Sequence, residues 1–171
     1  MKILRKILII NLLLLISFST FAQLEKVQAA FIYNFTKYLE WPAEYSSGDF
    51  VIGVINSPEM LSKLNAMVAA GKLVGTQKII IKSYSSINEV SNCHLVYLPS
   101  NLSGKLAELI SIIKGKSTII VTSGNGLAQI GSDFNFIILG DKQNFEINKT
   151  NIKSKNIVLS SKLEQLAVKV Y

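Results

Sequence analysis

The run Phe50-Val51-Ile52-Gly53-Val54-Ile55, followed directly by Asn56-Ser57-Pro58-Glu59, carries the first architectural statement in the chain. Six apolar residues without a charge predict a strand buried on both faces. The next four predict a helix start: a capping side chain, a proline in the first turn and an acid near the positive end of the helix. Met60, Leu61, Leu64, Met67 and Val68 then recur at three- and four-residue spacing, and Gly71 ends the segment. A buried strand that runs straight into an amphipathic helix is the repeating unit of a parallel sheet flanked by helices.

The same alternation continues downstream. Strands are expected at Lys78 to Lys82, His94 to Leu98 and Thr118 to Val121. Ser86 and Glu89 have capping-box spacing for a short helix between the first two. Leu106, Leu109, Ile110 and Ile113 set the face of another helix, ended near Gly115. Phe134 to Leu139 and Asn144 to Ile147 read as an antiparallel hairpin turning through Gly140-Asp141-Lys142-Gln143. A closing helix is expected over Leu159 to Val168, beginning near Ser160-Ser161. Upstream, Leu24, Val27, Phe31, Phe35 and Tyr38 form an apolar stripe on a helix from Leu24 to Glu40, flanked by Gln28 and Leu39, which Trp41-Pro42 stops. The expected fold class is α/β: a mainly parallel central sheet with helices on both faces and an antiparallel C-terminal hairpin, in a single compact domain. No linker, repeat or low-complexity tract interrupts it.

The first 22 residues read differently. Lys2, Arg5 and Lys6 precede an apolar core from Ile7 to Phe18, and Ser19-Thr20-Phe21-Ala22 follow with small residues at the cleavage positions. The core is shorter than the roughly 20 apolar residues that a spanning helix needs. The expectation is therefore a cleaved signal peptide over 1–22, export to the periplasm, and a mature domain over 23–171 that does not itself span the membrane. That domain holds 15 basic and 11 acidic residues, a net charge of +4. This is far from the dense basic surface of a nucleic-acid binder, so no nucleic-acid partner is expected.

Each residue or motif that could carry catalysis fails a physical test. Cys93 is the single cysteine, so no disulfide can form within the chain, and a lone thiol in an apolar strand reads as a small core residue. His94, the single histidine, has no partners at metal-ligand spacing. Neighbours on a strand point to opposite faces, so Cys93 and His94 cannot act as nucleophile and base. Gly124-Asn125-Gly126 lacks dinucleotide-fingerprint spacing, yet the loop from Thr122 to Gly126 follows a strand end, where α/β sheets bind ligands. Ser123 and Asn125 are the candidate ligand-binding residues there. No catalytic residue, metal site or cofactor is assigned.

The first helix leaves Lys26, Tyr33, Thr36, Lys37 and Glu40 opposite its apolar stripe. Tyr33 and Lys37 are one turn apart, with Glu40 three residues further on. Such a row is either a solvated face or a contact patch, since tyrosine is enriched in interfaces. Tyr33, Lys37 and Glu40 are the candidate partner-binding residues.

The stretch Ala29-Ala30-Phe31-Ile32-Tyr33-Asn34-Phe35-Thr36-Lys37-Tyr38-Leu39-Glu40-Trp41-Pro42 closely resembles the opening signature of the YfiR-like family of exported bacterial proteins. Phe50 to Val54, Cys93 to Leu98, Gly126 to Gly131, Phe145 to Asn148 and Leu159 to Leu163 match it in order. The resemblance implies a periplasmic α/β regulator, often a homodimer, without catalytic residues. It implies binding to the periplasmic part of an inner-membrane diguanylate cyclase, holding it inactive and lowering cyclic di-GMP and biofilm formation. Two departures stand out. Redox-controlled members use several cysteines, whereas this chain has Cys93 alone, and the segment Gly126 to Ser132 lacks the phenylalanine and paired glycines of many members. Control of a sensor kinase, binding of a small periplasmic ligand, and an unrecognised hydrolase are the alternatives.

Overall fold

The protein is described from a computed structural model covering residues 23–171; the signal peptide assigned to 1–22 lies outside the described residues. A helix, α1, occupies residues 23–35. It is followed by β1 (Leu39–Glu40), β2 (Phe50–Ile55), α2 (Pro58–Val68), β3 (Leu73–Val74), β4 (Gln77–Tyr84) and β5 (Leu95–Leu98). The second half runs α3 (Leu106–Ile112), β6 (Ile119–Ser123), β7 (Phe134–Leu139), β8 (Lys142–Ile147), α4 (Lys149–Ser154), β9 (Val158–Leu159), α5 (Ser161–Leu166) and β10 (Lys169–Val170).

Eight strands form one sheet in the order β3-β4-β2-β5-β6-β7-β8-β10, and β1 pairs with β9 in a separate two-stranded ladder. The strands β4, β2, β5, β6 and β7 run parallel, with Ile52 opposite Leu95 and Val121 opposite Phe134. The pair β7 and β8 is antiparallel, as the expected hairpin requires, though its turn is only Gly140-Asp141, with Lys142 already on the strand. The period of two along each strand divides the core between the faces. Phe50, Ile52, Val54, Leu95, Tyr97, Ile119 and Val121 pack under α1, α2, α4 and α5. Val96, Leu98 and Ile120 face the opposite way, under Leu106 and Leu109 of α3 and the turn bearing Ile87. Each fully buried leucine of α3 contributes about 1.5–3 kcal/mol.

Gly53 sits mid-strand because a Cβ there would meet Tyr84 Cε2 at 2.6 Å. Tyr84 thus lies directly across the backbone of β2, and its hydroxyl pairs with Ser91 at 3.1 Å. Three local expectations are corrected. Ser57 precedes α2 without a side-chain capping bond, and Ser86 likewise leaves its turn uncapped; the Glu89 carboxylate instead accepts from the Ser85 N–H at 2.9 Å. The segment expected as a closing helix, Leu159 to Val168, is helical only over Ser161–Leu166 (α5): Leu159 ends β9, and Ala167 and Val168 leave the helix and lead into β10. Ser160 does cap α5, accepting from the Lys162 N–H.

The first helix needs the largest correction. It stops at residue 35, and Leu39–Glu40 is a strand paired with Val158–Leu159 rather than the last helical turn. Its buried face is Gln28, Ala29, Ile32 and Phe35, while Val27 is 39% exposed. Thr36, expected opposite the stripe, is buried in the turn just after the helix. Gln28 tolerates burial because its amide donates to Gln143 Oε1 at 2.8 Å and its oxygen accepts from the Tyr97 hydroxyl at 3.3 Å. Thr36 tolerates it by donating to the Tyr33 carbonyl at 2.7 Å, one turn back. Both polar side chains are thus buried with their hydrogen bonds made.

Cys93 is buried on the α3 side of the sheet and His94 packs against Phe50 on the other. Both precede β5, which begins at Leu95 and not at His94 as expected, so the bend before the strand and not its alternation separates them. Burial pushes the Cys93 thiol up to about 12, so almost no thiolate forms at neutral pH. A thiol reagent should therefore react slowly with the folded protein and quickly once it is denatured. Cys93→Ser should cost about 1–2 kcal/mol by placing a hydroxyl in apolar surroundings. A covalent dimer on a non-reducing gel would contradict this placement.

Candidate functional site

Three of the residues singled out in the sequence gather at one end of α1. Tyr33 lies on the last turn, half-buried against the core rather than fully solvated. Lys37 follows in the turn after the helix and is exposed; its Nζ stands 4.4 Å from the centre of the Tyr33 ring. Glu40 is exposed on β1, opposite Val158. The three are neighbours, but the strand at Leu39–Glu40 brings Glu40 there, not helical spacing.

The structure adds two residues to the group. Lys72 places its Nζ 4.4 Å from the Tyr33 ring, so two ammonium groups share one aromatic side chain. Such contacts are worth about 0.5–1 kcal/mol each at exposed sites. Leu73, 49% exposed, follows on β3. A cleft of about 360 Å³ lies between the two segments, lined by Lys37, Glu40, Trp41, Leu73, Gly75 and Gln77. Its floor is fixed. Trp41 Nε1 donates to the Ser117 carbonyl at 3.0 Å and its ring packs edge-on against Phe50 at 4.9 Å. The sequence held one signal for the added pair: Leu73-Val74 stands between Gly71 and Gly75, both in the left-handed region that tight turns need.

His94 supports the same wall. Its ring stacks on Phe50 with centroids 4.2 Å apart. Nδ1 accepts from the Val51 N–H at 3.0 Å and Nε2 bonds the Tyr45 carbonyl at 2.8 Å, which fixes the neutral tautomer with hydrogen on Nε2. Burial lowers its pKa. Both nitrogens are committed, so the residue is structural.

Ser123 is the last residue of β6 and Asn125 lies in the loop beyond it, the first half-buried and the second exposed. Between them, the Gly124 N–H donates to the Phe136 carbonyl at 3.1 Å and its carbonyl accepts from Asn135 Nδ2 at 2.6 Å. Asn135 also donates to Glu146 at 2.9 Å, and Thr122 donates to Asn135 Oδ1 at 2.9 Å. The loop is anchored from within, and its central amide is already occupied.

A polar centre that sequence reasoning missed lies at the other end of these strands. Asp133 is fully buried and pairs with Lys155, while its oxygens also accept from the Ile120 N–H at 2.6 Å and from Asn151 Nδ2 at 3.3 Å. Burial pushes the Asp133 carboxyl up, and Lys155 opposes that shift. Among the described residues, no cluster of three or more histidine, cysteine or acidic side chains is placed to hold a metal, and no helix is long and apolar enough to cross a membrane.

Comparison with known proteins gives a family and a fold. The model of the family described as YfiR/HmsC-like matches residues 25–168. Among solved structures, the chain is similar to an ABC domain in complex with L-Trp from Streptococcus pneumonia, with 13% identity and a TM-score of 0.54. The match covers 71% of this chain and 55% of that one, so the chain spans about half the length of that structure. At such low identity the likeness is one of fold. No curated protein matches the chain.

Proposed function

The chain belongs to the YfiR/HmsC-like family, and on that premise we propose that it is a periplasmic regulator that holds an inner-membrane signalling protein, of the diguanylate cyclase type, inactive by binding its periplasmic part. Members of this family are regulators rather than enzymes. The observation that supports a binding role here is the surface around Tyr33. An aromatic ring flanked by Lys37 and Lys72 stands beside Glu40 and the exposed Leu73, over a wall stiffened by Trp41 and Phe50. Aromatic, apolar and charged groups on rigid support are what an interface anchor consists of. The charges give orientation and the ring gives affinity. A homodimer is compatible with the same reading. Binding of a small polar ligand at Ser123 and Asn125, or control of a sensor kinase, is the alternative form of the proposal.

The test exploits the difference in burial within the group. Glu40 is exposed, so Glu40→Lys should stay within about 0.5 kcal/mol of wild type in stability. Lys37→Glu should lose no more than the about 0.5–1 kcal/mol of its contact with the Tyr33 ring. Both should weaken repression of the partner. Tyr33→Ala should abolish repression, because a tyrosine anchor is worth about 2 kcal/mol or more, over tenfold in affinity. It should also lower stability, since Tyr33 packs against the core. A signalling readout in the native host beside a melting curve for each variant decides the matter. Normal repression by all three would reduce the group to a solvated face.

A further inference from the structure

The strand β4 is longer than the strand beside it. It pairs with β2 from Ile79 to Tyr84, but its outer side meets β3 only through Gln77 and Lys78. The Tyr84 carbonyl accepts from the Asn56 N–H at 2.9 Å, so Tyr84 directs its backbone groups toward β2. By alternation Ile80 and Lys82 do the same, and Ile79, Ile81 and Ser83 turn theirs outward. Among the described residues, no hydrogen bond reaches these three from the outer side. An uncovered row of this kind is a template for another strand.

The side chains restrict what can be added. Lys78 and Lys82 are exposed on one face and flank Ile80, while Ile79 and Ile81 occupy the other face. From Lys72 to Tyr84 there is no acidic residue. Antiparallel pairing of two copies about Ile80 sets each Lys78 against a Lys82, and like charges directly opposite destabilise a ladder. Pairing about Ile81 removes that clash but leaves every lysine without an acid. Lysines on an open edge thus oppose self-pairing and favour a strand of opposite charge.

We propose that the outer edge of β4, from Ile79 to Ser83, is a strand-addition site for an extended acidic segment of a protein partner. The segment presents acids opposite Lys78 and Lys82 and apolar side chains between them. It lies in line with β3, whose Leu73 lines the cleft holding Lys37 and Glu40. This rests on the reading that the chain acts by binding a protein, and it names the chemistry of what binds.

The probe is a synthetic peptide in which two glutamates flank three valines, titrated into the mature chain. Saturable binding is expected. It should weaken by about tenfold or more in Lys78→Glu/Lys82→Glu, where two favourable cross-strand pairs become repulsive. The same peptide with lysines in place of glutamates should bind the double variant and not the wild type. Ser83→Pro removes an outward N–H without touching the ladder to β2, so it should lose the peptide while keeping its melting temperature. Equal binding of both peptides by wild type, absence of binding, or full binding by Ser83→Pro would each overturn the site. So would a concentration-dependent dimer that Ser83→Pro dissolves, since the occupant would then be a second copy. If the Lys37 and Glu40 variants lose repression while the β4 variants keep it, the regulator reading stands and the edge falls. If neither set alters repression, the reading beneath it falls.

Discussion

Lys155→Met should destabilise the protein by about 3–5 kcal/mol, the usual consequence of removing one partner of a buried ion pair. The Asp133 carboxylate has no exposed surface, and Lys155 supplies the positive charge beside it. Methionine keeps most of the lysine volume, so the loss reports charge rather than packing. The remaining donors, the Ile120 N–H and Asn151, satisfy the geometry of the carboxylate without neutralising it. Burial already raises the Asp133 pKa, and removing Lys155 raises it further. The sign of the pH dependence follows. A carboxyl whose folded pKa exceeds its unfolded value of about 3.9 binds more protons when folded, so stability falls as pH rises through that interval. Lowering the pH toward the unfolded value should therefore recover part of the loss in Lys155→Met. Denaturant midpoints across that range measure both effects. A loss under about 1 kcal/mol, or one independent of pH, would show that the pair is not a sealed charge.

Phe35→Ala should have a comparable effect by a different route, about 3–5 kcal/mol for truncating a buried aromatic. Its ring stacks on Phe134 with centroids 4.2 Å apart and meets Phe145 edge-on at 5.0 Å. Phe136 and Phe31 close the cage at 5.9 Å and 6.1 Å. These rings come from α1, β7 and β8, so one side chain ties the first element to the hairpin. No pH dependence is expected, which separates this variant from Lys155→Met. An unchanged denaturant slope with a lowered midpoint would show that stability, and not the denatured state, had changed.

The longer strands and helices from Phe50 to Ile147 were legible because each buries its own apolar set at its own period. The two-residue strand β3 was not, and the short helix expected from Ser86 is only a turn at Ile87–Glu89. The alternation of Leu95 and Tyr97 against Val96 and Leu98 needed nothing beyond the chain. The helix α4 was not legible. Ile152 is its one buried residue, and it is held by its cap, the Asn148 side chain accepting from the Asn151 N–H at 2.8 Å. The strand β10 was hidden likewise, because it adds to the sheet through main-chain bonds, Val168 N–H to Phe145 and Tyr171 N–H to Ile147. The candidate site was half legible. Tyr33, Lys37 and Glu40 stood out as types, but Lys72 and Leu73 join them only through the turn at Gly75 and the long-range placement of β3.

The proposed role makes a claim about the cell that can be measured without knowing the interface. Intracellular cyclic di-GMP should be quantified in the native host with the gene intact, deleted, and restored. Loss of an inhibitor should raise the nucleotide, and restoring the wild-type chain should return it to the starting level while the Lys37→Glu chain does not. A level that stays constant or falls on deletion would contradict the account.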